Sequence, residues 1–314
     1  MANVLPLRQY YGDALLKAGR ENKKIVALDA DVSKGTFSKF FGTEFPERFF
    51  NFGIAEQNML AAAAGLASMG FIPFANSYAV FVTMRACEQL RNMIAYQRAN
   101  VKVMGGHGGI SVGQDGVSHQ AIEDIAIVRS MSNMTVLVPG DPIEVGQVVE
   151  AALNYVGPVY IRLARISVPN LFQEGYQFKI GKGNIIKEGK DVTIMAIGIM
   201  VKVALDAAAQ LEKQGISVRV VNMASVKPID KELIFESAKK TGAIVTVEDH
   251  NVVGGLAGAV CEVLCELKPV PLEKVGLQDT FAESGDETEL FKHYGLDTKD
   301  IINAAKKAIA RKKG

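Results

Sequence analysis

Short β-branched or apolar runs that alternate with helix-patterned segments constrain the fold of this 314-residue chain more than any other feature. Apolar residues recur at helical spacing around 56–69, 79–97, 121–131 and 141–155. This alternation is typical of a mainly parallel sheet, so the sequence predicts an α/β unit. The predicted strands of this unit are 25–28, 71–75, 101–104, 135–139 and 159–163.

The pattern breaks between about 164 and 190, where Gly, Pro, Asn and Lys are frequent. A second alternation then begins, with strands predicted at 192–198, 218–222 and 243–249, and helices near 200–214, 230–240, 254–268 and 297–312. We therefore expect two α/β domains, at residues 1–178 and 179–314.

Charge and cysteine content narrow the function classes. The formal net charge is +1, from 35 basic and 34 acidic residues, which gives no reason to expect nucleic acid or a membrane surface as a partner. Three cysteines cannot form a disulfide framework, and no apolar run approaches the roughly 18 residues that span a bilayer. No metal site is predicted from Cys and His spacing. We expect a cytoplasmic protein.

A glycine-rich segment, GGHGGISVGQDGVSHQ, spans residues 105–120 and contains six glycines by position 116. Glycine permits positive φ and close backbone approach, which a loop around a small ligand requires. His107, Asp115 and His119 in this segment can bind hydroxyl groups or transfer protons. A surface loop with two satisfied histidines is the alternative.

Two further features could contribute to a ligand site. Glu56 lies in the first turn of a predicted helix, where it is either an acid placed favourably in the helix dipole or a desolvated carboxyl that shares a proton with a ring nitrogen. Tyr78, Phe81 and Met84 are spaced to share one helix face. Such a stripe can be core packing, or it can receive a flat heterocycle.

These segments, in this order and spacing, resemble the transketolase family of thiamine-diphosphate enzymes. The resemblance covers the whole chain and is carried by GIAEQNMLAAAAGLA, the aromatic stripe, HGGISVGQDGVSHQAIED and EDHNVVGGLAGAV. More narrowly, the chain resembles the C-terminal half of a transketolase, with a pyrimidine-binding domain followed by the smaller C-terminal domain. The resemblance implies the C-terminal subunit of a split transketolase, which transfers a two-carbon ketol unit from a ketose phosphate to an aldose phosphate.

For the cofactor, the resemblance implies that Glu56 is catalytic. It matches the glutamate that hydrogen-bonds N1′ of the aminopyrimidine and so favours the tautomer that removes the thiazolium C2 proton. Tyr78 and Phe81 match aromatic residues that line the same pocket, and Met84 stands where many members have tyrosine. Asp31 matches an aspartate near the cofactor.

For the substrate, the resemblance implies that His107 lies near the acceptor phosphate and that Asp115 reads a hydroxyl's configuration. His119 matches a histidine beside the reacting carbons, so His107 and His119 join Glu56 as catalytic candidates. Arg165 and Arg8 match arginines that hold the sugar phosphate.

Besides Met84, a second position departs from the family pattern. The serine that contacts substrate phosphate in many members is Gly35 here, and Thr36 is a possible substitute for it.

The resemblance also implies a partner. The family's diphosphate-binding half, with its Gly-Asp-Gly segment and metal-binding residues, is not found in this sequence. We therefore expect an N-terminal subunit that carries Mg²⁺ or Ca²⁺ with the diphosphate, in an α2β2 heterotetramer, while this chain binds the aminopyrimidine.

Two alternatives share the architecture. One is a beta-type subunit of another thiamine-diphosphate enzyme, similar either to deoxyxylulose-phosphate synthase or to the 2-oxo acid dehydrogenases. The combination of His107 with the DGxSH motif favours transketolase over both. The other is a noncatalytic subunit that keeps the fold, against which the intact set of candidate residues argues.

Overall fold

The computed structural model describes residues 5–173 and 175–312, which form two α/β units, and the predicted fold class is confirmed. The strands are β1 Ile25–Asp29, β2 Phe49–Asn51, β3 Ile72–Tyr78, β4 Lys102–Gly106, β5 Thr135–Leu137, β6 Val159–Arg162, β7 Asn184–Lys187, β8 Val192–Ala196, β9 Val218–Asn222, β10 Ser225–Lys227, β11 Ile244–Asn251 and β12 Leu272–Leu277.

Helices cover both faces of the two sheets. The α-helices are α1 Leu7–Glu21, α2 Ser33–Thr36, α3 Lys39–Glu44, α4 Glu56–Ser68, α5 Cys87–Gln89, α6 Asp124–Ser130, α7 Pro142–Asn154, α8 Met200–Glu212, α9 Lys231–Thr241, α10 Leu256–Leu267, α11 Glu287–His293 and α12 Thr298–Lys312. Short 3₁₀ turns occur at Pro46–Arg48 and Ile110–Asp115, and π-helical turns at Phe81–Arg85 and Leu90–Ala95.

The first sheet has the order β10-β5-β6-β4-β3-β1-β2, and β1 to β6 run parallel. The second sheet has the order β12-β11-β8-β9-β7, with only β7 antiparallel. Strands in the middle of both sheets are buried on both faces, as parallel strands covered by helices must be. This double burial explains why their sequences are almost continuously apolar.

The two units are joined by more than the chain connection. Strand β10 follows β9 of the C-terminal unit, yet it pairs antiparallel with β5 at the edge of the first sheet. The hydrophobic core is also continuous, because one cluster of buried side chains extends from Leu7 in α1 to Ala308 in α12. The C-terminal unit is therefore packed firmly against the unit that carries most candidate residues.

The predicted single helix over 79–97 is wrong in its geometry. Two π-helical turns flank the short helix α5, and the N–H of Ala86 donates to the carbonyl of Phe81 five residues earlier. Tyr78 is the last residue of β3 rather than a helical residue. The aromatic side chains nevertheless lie together, because β3 leads directly into the first π-helical turn.

Candidate active site

The candidate residues lie at one edge of the first sheet because parallel strands place their carboxyl ends together. Strands β6, β4, β3 and β1 are neighbours in the sheet. His107 follows β4, Tyr78 ends β3, Asp31 follows β1 and Arg165 follows β6. The topology thus brings together residues that are up to 87 positions apart in the sequence, from Tyr78 to Arg165.

Glu56 begins helix α4 and is almost fully buried, with 1% of its surface exposed. Its Oε2 accepts a hydrogen bond from Nη1 of Arg85 at 2.8 Å, and its Oε1 accepts one from the hydroxyl of Ser77 at 3.3 Å. The sequence suggested a desolvated carboxyl among apolar groups. In the structure the carboxyl is buried, as that interpretation requires, but its partner is a guanidinium group. Sequence reasoning missed both Arg85 and Ser77.

The aromatic side chains form one wall beside Glu56. The rings of Tyr78 and Phe81 stack with their centroids 6.0 Å apart. The guanidinium of Arg85 lies 4.3 Å from the centroid of Phe81, so this arginine connects the ring to the carboxylate. Met84 is 41% exposed on the same π-helical turn and faces open space.

His107 adopts a left-handed backbone conformation, with φ of 60°, and is 4% exposed. Its ring centroid lies 3.8 Å from that of Tyr78. Burial, aided by the positive charges of Arg8 and Arg165, lowers the pKa of His107 to about 2. The imidazole is therefore neutral at physiological pH.

The tautomer of His107 follows from its neighbour. Nη1 of Arg8 lies 3.4 Å from Nε2 of His107, and a guanidinium can only donate. Nε2 is thus the acceptor, and the proton is on Nδ1. Among the described residues this buried Nδ1 has no hydrogen-bond partner, so it can donate to a bound ligand.

His119 lies on the other side of the aromatic wall. Its ring centroid is 5.3 Å from that of Phe81 and 6.1 Å from that of Tyr78, in edge-on arrangements. Nδ1 of His119 is 3.0 Å from the hydroxyl of Ser118. Both histidines therefore lie close to the same aromatic pair.

Arg8 and Arg165 come together from opposite ends of the first unit. Arg8 is 7% exposed, donates to the carbonyl oxygen of Gly35, and also donates from Nη2 to the carbonyl of Arg165 at 3.1 Å. Burial lowers the pKa of Arg8 to about 10, which leaves it charged at neutral pH. The two arginines line a cavity of about 600 Å³ that opens to solvent.

The same cavity has walls from the C-terminal unit, which sequence reasoning did not assign to the site. Glu287 and Thr288, in the first turn of α11, line it together with the arginines. Asp115 lies near its mouth, where Oδ2 accepts a hydrogen bond from Nη1 of Arg165 at 3.1 Å. Both side chains of this pair are about 40% exposed, so a ligand can compete for either one.

The structure shows that Thr36 does not substitute for a hydroxyl at position 35. The Thr36 hydroxyl is fully buried and donates to Oδ2 of Asp29 at 3.0 Å. At Gly35, a Cβ atom would lie 2.6 Å from the hydroxyl oxygen of Tyr78. The hydroxyl group nearest to position 35 on the site side is thus that of Tyr78.

Asp31 stands apart from the other candidates. It has φ of 64°, is exposed, and exchanges two hydrogen bonds of 3.1 Å with the side chain of Asn51. This pairing fixes its carboxylate on the rim of the site. The structure does not bring it into the cluster around His107.

Within residues 5–173 and 175–312, no cluster of three or more His, Cys, Asp or Glu side chains could hold a metal ion. None of the helices in the described ranges has the length and apolar character needed to cross a membrane.

Comparison with known proteins identifies the family. The family model for the transketolase pyrimidine-binding domain matches residues 4–170, and the model for the transketolase C-terminal domain matches residues 181–301. The chain therefore belongs to the transketolase family and corresponds to these two domains.

Related proteins agree with this assignment over nearly their full length. A putative transketolase C-terminal section of Methanocaldococcus jannaschii is 46% identical, covering 94% of this chain and 93% of that protein. A 6-deoxy-6-sulfo-D-fructose transketolase subunit of Clostridium sp. (strain MSTE9) is 43% identical, covering 98% and 95%. A solved structure described as a split gene transketolase, inactive beta4 tetramer, superposes with a TM-score of 0.92 at 51% identity, covering 98% and 99%.

Membership in this family implies dependence on thiamine diphosphate, and the residues present fit its aminopyrimidine half. Glu56 is buried, the rings of Tyr78 and Phe81 are stacked, and the thioether of Met84 is exposed on the same π-helical turn as Phe81. A flat, weakly basic heterocycle needs such an apolar wall with one carboxylate at its ring nitrogen. Arg85, which now occupies Oε2 of Glu56, is 42% exposed and has room to move away.

Proposed function

We propose that this chain is the C-terminal subunit of a split transketolase. It would transfer a two-carbon ketol unit from a ketose to an aldose with thiamine diphosphate. The observation that carries the proposal is the position of the buried Glu56 and its aromatic wall beside two converging arginines at one sheet edge. One end of this site suits the cofactor, and the other suits an anionic sugar.

Toward the cofactor, Glu56 would hold a proton at the aminopyrimidine ring nitrogen, with Tyr78 and Phe81 packed against the ring and Met84 beside it. When bound, thiamine diphosphate supplies the electron sink for carbon–carbon bond cleavage. Arg85 would give up its hydrogen bond to Oε2 of Glu56 when the heterocycle binds. Asp31, on the rim, would act near the cofactor without contacting the aromatic wall.

Toward the substrate, Arg8 and Arg165 would bind a terminal oxyanion in the cavity between them. The terminal group is a phosphate in the expected sugar substrates, and a sulfonate is the equivalent group in the sulfofructose named for one relative. His107, as a neutral ring, would donate a hydrogen bond from Nδ1 rather than act as a general acid. Asp115 would bind a substrate hydroxyl, and His119 would assist near the reacting carbons.

The partner in this proposal is an N-terminal transketolase subunit. It would contribute the diphosphate site and its Mg²⁺ or Ca²⁺, in an α2β2 heterotetramer. The related solved structure described as a split gene transketolase, inactive beta4 tetramer, supports the proposal that this chain needs such a partner.

The decisive experiment is a transfer assay with thiamine diphosphate and Mg²⁺. It uses xylulose-5-phosphate and ribose-5-phosphate, with 6-deoxy-6-sulfofructose as a second donor, on this chain alone and on the chain mixed with a candidate N-terminal subunit. We expect activity only in the mixture. Activity of the chain alone would overturn the split-enzyme proposal.

The same assay separates the alternatives. Turnover of pyruvate with glyceraldehyde 3-phosphate, without ketol transfer, would indicate a synthase-like or dehydrogenase-like subunit. Failure of every donor with a partner that forms a stable complex would favour the noncatalytic subunit.

A further inference from the structure

The glycine-rich loop that carries His107 and Asp115 has a backbone that needs external support. His107 has φ of 60° although it is not glycine, and Gly109, Gly113 and Gly116 have φ of 80°, 71° and 72°. A left-handed conformation at a residue with a side chain costs on the order of 1 kcal/mol and persists only where neighbouring groups hold it. The groups that contact the loop are therefore the ones that hold His107 in its left-handed backbone conformation.

Asp249 of β11, in the C-terminal unit, holds the start of this loop. Its Oδ1 accepts a hydrogen bond from the backbone N–H of Ile110 at 2.9 Å, across 139 positions of sequence. Its Oδ2 occupies the space at Gly109, where any Cβ would lie 1.9 Å away. The carboxylate thus contacts the loop two and three residues after His107.

The position of Asp249 is itself fixed by the first unit. Nη2 of Arg162 donates to the backbone carbonyl of Asp249 at 2.8 Å, and Nε of the same arginine donates to Asp124 at 2.8 Å. All three residues are buried. Burial raises the pKa of Asp249 to about 6, although the positive charge of Arg162 opposes that shift, so the carboxylate is ionised near neutral pH.

A buried ionised carboxylate is costly, and apolar packing would stabilise an interface between two units at least as well. The presence of Asp249 is therefore better explained by its effect on the conformation of the loop than by stabilisation of the interface alone. Other C-terminal groups contact the same loop further along. Nε2 of Gln120 donates to the carbonyl of Glu283 at 3.0 Å, and a Cβ at Gly116 would lie 2.2 Å from the hydroxyl of Ser284.

We infer that Asp249 is a positioning residue, which sets the conformation of the glycine-rich loop and thereby the placement of His107 against Tyr78 and Arg8. The C-terminal unit is then part of the substrate site of its own chain. This inference rests on the proposed function for its effect on turnover, but its effect on the loop can be measured without any activity.

The first measurement is hydrogen exchange of the chain by itself, comparing Asp249→Ala with wild type. Exchange of the Ile110 amide should accelerate by on the order of tenfold, because that amide loses a charged acceptor. Glu248→Gln is the matched control. Glu248 is also buried on β11, but its carboxylate accepts the N–H groups of Leu256 and Ala257 in α10. The control should leave Ile110 protected, and equal protection in Asp249→Ala would overturn the inference.

The second measurement is made on the chain assembled with its N-terminal partner. Asp249→Ala should raise KM for the anionic sugar by about tenfold and weaken the Kd for thiamine diphosphate by a clearly smaller factor, because the loop reaches the cofactor wall only through the contact of His107 with Tyr78. Asp249→Asn should restore KM to within about threefold, since its amide oxygen can still accept from Ile110. Equal loss of cofactor and sugar binding would mean a merely structural role. A wild-type assembly without turnover would refute the proposed function, and the exchange experiment would still decide the role of Asp249.

Discussion

Single residues at this site are held by partners that a ligand must displace, and Glu56 is the clearest case. Its carboxylate is buried and shared between Arg85 and Ser77. In the proposed function this carboxylate holds a proton at N1′ of the aminopyrimidine, so Glu56→Gln should lower turnover by about 10²–10⁴-fold, the range for loss of a positioned acid or base. The assay is steady-state turnover of the assembled enzyme, with thermal unfolding as the check of the fold.

Glu88→Gln is a suitable control for this change, since Glu88 is exposed on the neighbouring helix α5 and bonds only to surface amides. It should turn over substrate like the wild type. Near wild-type turnover of Glu56→Gln would contradict the role assigned to the carboxylate.

The contact between Gly35 and Tyr78 gives a second prediction. A Cβ at position 35 would lie 2.6 Å from the Tyr78 hydroxyl oxygen and 3.2 Å from its Cζ. Gly35→Ala should therefore reduce the free energy of unfolding by about 1–3 kcal/mol through overpacking. In a Tyr78→Phe background the penalty should shrink, because the closest atom is removed. Urea unfolding of the four variants of this cycle measures the coupling, and a penalty equal in both backgrounds would refute the contact.

Some of the residues that meet at this sheet edge were singled out from the sequence, but their pairings and the contributions of Arg85 and Glu287 were not. The high glycine content indicated a ligand-binding loop at His107. The position of Glu56 in the first turn of a predicted helix indicated a candidate functional carboxyl. The partner of Glu56 is Arg85, 29 positions later, and it reaches the carboxylate through a π-helical turn. Periodicity assumes α-helical spacing, so it cannot place a side chain that follows such a turn.

At the level of elements, every predicted strand exists, and the four strands that were not predicted are the edge strands of the two sheets: β10, β2, β12 and β7. Central strands are buried on both faces and are therefore mostly apolar, with Asp29 and Lys102 at strand ends. Edge strands expose one side, as β2 and β7 do, and their sequences resemble loops. The apolar pattern that predicts a strand thus reflects burial of the strand on both faces and not its hydrogen bonds.

Helix α7 depends on one buried cap. Oδ1 of Asp141 accepts the N–H of Glu144 at 2.8 Å, while Oδ2 accepts the N–H groups of Leu171 and Phe172 at 2.7 and 2.9 Å. Asp141→Ala leaves three donors without this acceptor, so the free energy of unfolding should fall by about 2–4 kcal/mol. Urea unfolding checks this value.

The matched control is Asp286→Ala, which removes the exposed cap of α11. Its expected cost is about 1 kcal/mol, since water can satisfy the freed N–H groups. Equal costs for the two variants would show that burial of the Asp141 cap contributes nothing.

At the scale of the whole molecule, Glu144 connects three parts of the chain. Its carboxylate accepts from the hydroxyl of Tyr176 in the segment between the units, from Nδ2 of Asn222 in β9 at 2.7 Å, and from the N–H of Gly140 at 2.7 Å. Glu144 is fully buried, and burial raises its pKa from 4.5 to about 7. The junction of the two units therefore contains a group that changes charge near neutral pH.

The sign of the pH dependence follows from linkage. The folded state binds the proton of Glu144 more tightly than the unfolded state, so its contribution to stability is complete below pH 4.5 and is lost as the pH rises to about 7. A shift of this size corresponds to about 3 kcal/mol. Glu144→Gln removes the titration, so the free energy of unfolding of the variant relative to wild type should increase by up to that amount between pH 4.5 and pH 8.

Urea unfolding at intervals across this range measures the difference curve. Burial also lowers the pKa of Lys102 to about 7, so this residue adds a pH dependence of opposite sign to the free energy of unfolding. That contribution is the same in wild type and variant, and it cancels when the two curves are subtracted. Glu150→Gln, an exposed position on the same helix, is the matched control, and its curve should run parallel to that of the wild type. A flat difference curve for Glu144→Gln would mean that the carboxyl at the junction keeps one charge state throughout, and that the two units are not linked through a titrating group.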